Sequence, residues 1–151
     1  MPYQPTLKCY NSGQCVAMDI AGDNVLVYRQ PARAINLIKK MAEKYPGDNG
    51  SFLVVPFWPG AYAMMEIKAP IWDVYPLFGR RPEIERAEIE RIRQAAPGFA
   101  IIIDRPVSGF EQYKYSNTHA LTLEYIKENS SLQEKSPRAN YHIYVDKGDS
   151  N

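Results

Sequence analysis

Phe52-Leu-Val-Val55 and Phe99-Ala-Ile-Ile-Ile103 are the two runs whose reading decides the fold. Each is short and apolar throughout, with Gly50-Ser51 ahead of the first and Pro97-Gly98 ahead of the second. That pattern belongs to strands covered on both faces, as in parallel sheets. Between them Pro82 opens a helix over 83–93, with acidic residues leading and arginines trailing. This order suits the helix dipole and offers Glu83–Arg86 and Glu88–Arg91 as surface pairs. Two strands flanking a helix imply a parallel pair joined by a right-handed crossover.

Working outward, Pro31 sits in the first turn of another helix, with Ala34, Ile35, Leu37, Ile38, Met41 and Tyr45 on one apolar face and Pro46-Gly47 as its stop. Before it, Val16–Ile20 and Val25–Tyr28 flank Ala21-Gly-Asp-Asn24, the chemistry of a hairpin turn. After the first apolar strand, residues 56–81 are dense in proline and aromatics, with a short helix expected over 61–67. Thr118 is placed to cap a helix running to Asn129. Residues 130–140 read as polar loop, and the alternating Tyr141-His-Ile-Tyr-Val145 reads as a final edge strand. The expected architecture is a single α/β three-layer domain over 16–145. Its mixed sheet has a parallel βαβ core, an N-terminal β-hairpin and a C-terminal edge strand. Residues 1–15 are an irregular lead-in and 146–151 a disordered tail.

Composition limits the function classes. A chain of 151 residues with a net charge of +1 lacks the basic stripe that neutralises phosphates, so nucleic acid is not an expected partner. Two cysteines and two histidines make neither a disulfide scaffold nor a metal centre, and no cofactor motif is present. Cys9 and Cys15 could close a small loop in an oxidising compartment, or remain thiols in the cytosol. The longest uncharged stretch, 50–65, is broken by Pro56 and Pro59 and is too short to span a bilayer. The N-terminus has no signal-peptide pattern.

Chemistry, if present, is expected outside the carboxyl ends of the parallel strands. The loop after the first strand brings Trp58 and Tyr62; the loop after the second brings Asp104, Arg105 and Ser108. Asn117 and His119 open the following helix. An aromatic platform beside polar groups suits a sugar, so Trp58, Tyr62, Asp104, Ser108, Asn117 and His119 are the ligand-binding candidates. Each has a structural alternative. Trp58 and Tyr62 can pin the loop to the core, Asp104 can cap a turn, and His119 can simply occupy a first helical turn. Asp104 and His119 together could instead be the acid–base pair of a small hydrolase or transferase. A third reading is a protein-interaction module with an aromatic patch at 56–78.

Phe52-Leu-Val-Val-Pro-Phe-Trp-Pro-Gly-Ala-Tyr62, Pro70-Ile-Trp-Asp-Val-Tyr75, Pro97-Gly-Phe-Ala-Ile-Ile-Ile-Asp104 and Lys114-Tyr-Ser-Asn-Thr-His119 occur in this order. As a set they resemble the soluble C-terminal region of bacterial polytopic glycosyltransferase-like membrane proteins of the dolichyl-phosphate-mannose protein mannosyltransferase class. The resemblance covers about 16–145. The chain departs from it at Ser108-Gly109-Phe110, where members often carry Asp-Gly-Arg, and at Ala120, where they carry proline. It implies a non-catalytic, extracytoplasmic accessory domain that binds glycan or acceptor, or packs against the membrane portion of the same parent protein. No catalytic residue carries over, since in such enzymes those acids lie in loops of the membrane portion. A lipid-linked sugar is a further implied partner. Without the resemblance, a cytoplasmic location would be the expectation.

Overall fold

The computed structural model describes residues 13–106, 109–136 and 141–147. The described chain opens with the hairpin β1 (Cys15–Ile20) and β2 (Asp23–Tyr28), then helix α1 (Arg29–Lys44). Next come β3 (Leu53–Val55), the one-turn α2 (Ala61–Met64) and an irregular segment, 66–81. Helix α3 (Pro82–Ala95) leads into β4 (Phe99–Ile103). Helices α4 (Tyr115–Thr118) and α5 (Ala120–Asn129) then precede β5 (Ser130–Ser136) and β6 (Tyr141–Asp146).

The two apolar runs are the parallel pair: Leu53, Val54 and Val55 lie opposite Ala100, Ile101 and Ile102. The sheet order is β3-β4-β6-β5, with β6 antiparallel to both of its neighbours, so the sheet is mixed. Three expectations are corrected here. The strand at 141–146 is interior, and the edge belongs to β5, formed by residues read as polar loop. Ser130-Ser-Leu-Gln-Glu-Lys-Ser136 has no apolar alternation because it pairs on one side only, with an irregularity between Leu132 and Glu134. The hairpin stays outside the main sheet as a two-stranded sheet of its own, laying Met18 against Ala32 and Ile35 of α1.

Side chains alternate across the strands, and the sheet divides the core accordingly. Phe52, Val54, Phe99, Ile101, Ile103, Ile143 and Val145 face α1 and α2. Leu53, Val55, Ala100, Ile102 and Tyr144 face the other way, against Ile92 of α3, Tyr115 of α4, and Leu123 and Ile126 of α5. Helices thus cover both faces, which is why the central runs could be apolar at every position. The helix ends at the amino edge meet through Pro46-Gly47 and Pro97-Gly98. There Gly98 N–H donates to the Ser51 carbonyl (3.0 Å) and Asp48 N–H to the Ala96 carbonyl (3.1 Å). A Cβ on Gly98 would collide with the Tyr45 carbonyl and with Gly47, so only glycine permits this approach.

Candidate functional site

The loop after β3 and the loop after β4 do share the carboxyl edge, but the six ligand candidates are not gathered into one site. Trp58 is half-buried and packs on the α1–α2 side of the core, with its backbone in the left-handed region (φ 68°). Tyr62 is on the same side and buried. Its hydroxyl accepts from Val54 N–H (3.0 Å) and donates to Val54 C=O (3.2 Å). β3 is an edge strand, so a side chain here satisfies the backbone groups that a neighbouring strand would otherwise pair. Burial pushes the Tyr62 phenol pKa up. Asp104 Oδ1 accepts the N–H of Ser116 (2.9 Å) in the first turn of α4, which is the capping role. Asn117 is exposed and donates to the Glu111 carbonyl (2.8 Å). Ser108 and Cys9 lie outside the described residues.

His119 is on the opposite side of the sheet from Trp58, only 1% exposed, and stacked on Tyr115 with centroids 4.8 Å apart. It is the junction residue between α4 and α5; the expected Thr118 cap is displaced by one residue because α4 intervenes. Thr118 Oγ1 lies within hydrogen-bond distance of both the Lys114 carbonyl (3.1 Å) and His119 Nδ1 (2.9 Å). His119 Nε2 is buried and meets no hydrogen-bonding group among the described residues. Burial, reinforced by the Arg80 charge, lowers the His119 pKa to about 4. Asp104 and His119 share no hydrogen bond or ion pair, so the acid–base pair drawn from sequence is not assembled among the described residues.

The polar cluster that the structure does assemble was not read from the sequence. Glu85 and Glu88 of α3 are buried. Glu85 Oε2 accepts both the N–H (2.7 Å) and the hydroxyl (3.1 Å) of Thr122, tying α3 to α5. Glu88 Oε1 has no partner, and burial raises its pKa. The Asp73–Arg80 ion pair lies close enough for both charges to act on Glu88 and on His119. The expected Glu88–Arg91 pair does not form: Arg91 instead lies over the Trp72 ring at 4.5 Å, and the exposed face of α3 closes Glu90–Arg93 at 2.7 Å. The available signal was spacing, since 85, 88 and 92 share one helical face with Ile92 at its end.

Outside this cluster the carboxyl edge carries an aromatic rim. Phe78 and Phe110 are 66% and 56% exposed and both meet Tyr113 edge-on, at 5.7 and 6.0 Å. Tyr75, 43% exposed, meets Phe57 at 6.0 Å, and the Arg105 guanidinium lies over Phe57 at 4.7 Å. A groove of about 400 Å³ opens at the other end of the sheet, beside Arg93, Tyr125, Asn129 and Lys147. None of the sequence candidates lines it. Among the described residues no cluster of His, Cys, Asp or Glu could hold a metal, and no helix is long and apolar enough to cross a membrane. Compared with known proteins, the chain matches no family model, no curated protein and no solved structure.

Proposed function

We propose that this chain is a non-catalytic accessory domain that works by contact, carried by a membrane glycosyltransferase-like protein, with the aromatic rim as its contact surface. One observation supports the contact reading above the others. Phe78 and Phe110 are exposed on either side of Tyr113, and Tyr75 is exposed beside Phe57, while Tyr62 and Asp104 are spent on internal hydrogen bonds and His119 is buried. Grouped rings open to water mark partner surfaces more often than chance exposure does. The rim extends the expected 56–78 patch across to Phe110 and Tyr113. The four quoted motifs support the choice of parent, whose membrane portion, or a glycan it handles, is the partner on this reading. The domain then faces the extracytoplasmic side.

The test is co-sedimentation of the purified chain with membranes from its own source. Wild type is expected in the pellet, and the double variant Phe78→Ser/Phe110→Ser in the supernatant. Equal partitioning of the two proteins, or no pelleting of wild type, contradicts the reading.

A further inference from the structure

We propose that a cavity at the amino edge of the sheet, lined by Arg91, Lys68 and Ser51, binds the carboxylate of a small organic acid. It lies at the end of the sheet away from the aromatic rim and does not rest on the contact reading.

The cavity, about 340 Å³, opens between the turn ahead of β3, residues 68–70 and the last turns of α3. That size falls within the range of small-molecule sites. Backbone hydrogen bonds fix its walls. Ser51 N–H donates to the Asp48 carbonyl (2.9 Å), the Ser51 carbonyl accepts from Gly98 N–H (3.0 Å), and Asp48 N–H donates to the Ala96 carbonyl (3.1 Å). Ser51 is only 8% exposed, and with both of its main-chain groups engaged its hydroxyl alone is left over.

Arg91 selects the ligand. It is partly buried and makes no hydrogen bond or ion pair among the described residues; its one strong contact is the Trp72 ring, 4.5 Å away. Arg91 Nε and Ser51 Oγ, two buried polar atoms without a described partner, thus belong to residues lining one cavity. Native interiors leave few such atoms, and each calls for a reason. A guanidinium drawn out of bulk water needs acceptors for its five N–H donors, and its planar fork matches the two oxygens of a carboxylate. No carboxylate of the described chain takes that place. Glu88, one turn back, does not pair with Arg91, and Glu90 is held by Arg93 and Gln94 on the exposed face of α3. Lys68, exposed and likewise without an ion pair among the described residues, adds a second positive charge to the lining. Asp48 also lines the cavity and, with the carbonyl end of α3, opposes an anion. Two cations against one carboxylate leave a single positive charge in excess, which a monoanion balances and a dianion overshoots. Ala69, Pro70 and Ala95 supply an apolar wall for the carbon skeleton of the acid.

The experiment titrates the full chain at neutral pH with acetate and with benzoate, with sulfate as the dianionic comparison, and follows the arginine Nε–H resonances by NMR. Arg93, whose Nε already donates to Glu90, is the internal reference. Saturable movement of the Arg91 resonance is expected with at least one carboxylate, at lower concentration than with sulfate, while Arg93 stays in place. Lys68→Ala, at an exposed position, should weaken binding of the same carboxylate roughly two- to fivefold, and Asp48→Asn should tighten it by a similar factor. Arg91→Lys keeps the charge and loses the fork, so binding read from the benzoate signals should weaken about tenfold. The proposal is overturned if Arg91 is unmoved by both carboxylates, if sulfate binds more tightly than either, or if Lys68→Ala and Asp48→Asn both bind as wild type does.

Discussion

Tyr62 and His119 show at the scale of single residues why aromatic and polar types alone do not define a site. Both were expected at a ligand surface, and both are interior. Tyr62→Phe removes the one group that meets Val54 N–H and C=O at the sheet edge. We expect a loss of about 1–3 kcal/mol in chemical denaturation, because the stranded backbone groups stay buried. His119 makes a pH prediction. Its folded pKa lies near 4, below the ordinary 6.5 of the unfolded chain, so the unfolded state binds the extra proton first. Its contribution is therefore whole above about pH 6.5 and is lost as pH falls toward 4, a swing on the order of 3 kcal/mol. His119→Phe keeps the ring on Tyr115 and leaves Thr118 bonded to Lys114, so the swing should vanish from pH-dependent melting. Glu88 acts in the opposite sense. Its raised pKa helps most below about pH 4.5 and the benefit fades as pH rises. Glu88→Gln should then raise the melting temperature at pH 7 and change little at pH 4. Nothing local in the sequence says that the Tyr62 phenol turns back onto its own strand, since that depends on β3 lying at the edge.

At the scale of elements, the parallel pair and its crossover helix were legible because apolar runs and proline–glycine stops are local signals. β5 was not, since a polar edge strand is specified by its partner rather than by its own pattern. The buried face of α3 lay between these cases. Glu85 and Glu88 fall in register with Ile92, yet a charge-rich helix reads as solvated unless a partner for its carboxylates is known. That partner, Thr122, is 37 residues away. The meeting of the helix ends at Gly47 and Gly98 gives a prediction at this scale. Gly98→Ala must displace the Tyr45 carbonyl or the Gly47 backbone, with a cost of about 1–3 kcal/mol or more in equilibrium unfolding. An Ala at Gly60, which faces open space at a negative φ, is the matched control and should cost far less.

For the whole molecule, the sheet separates two kinds of surface. The amino edge is closed by glycine-tight helix ends, and the carboxyl edge carries exposed rings. Phe78 and Phe110 touch Tyr113 but belong to no buried cluster, so replacing both with serine should shift stability by no more than about 0.5 kcal/mol. Contact, not folding, is what they serve on this account. The most direct measurement places a photo-crosslinking phenylalanine analogue at Phe78, at Phe110 and, as control, at the exposed Asn36 of α1, in cells that make the protein. The account predicts adducts from both rim positions and none from Asn36. Adducts from all three positions alike, or from Asn36 alone, would contradict it.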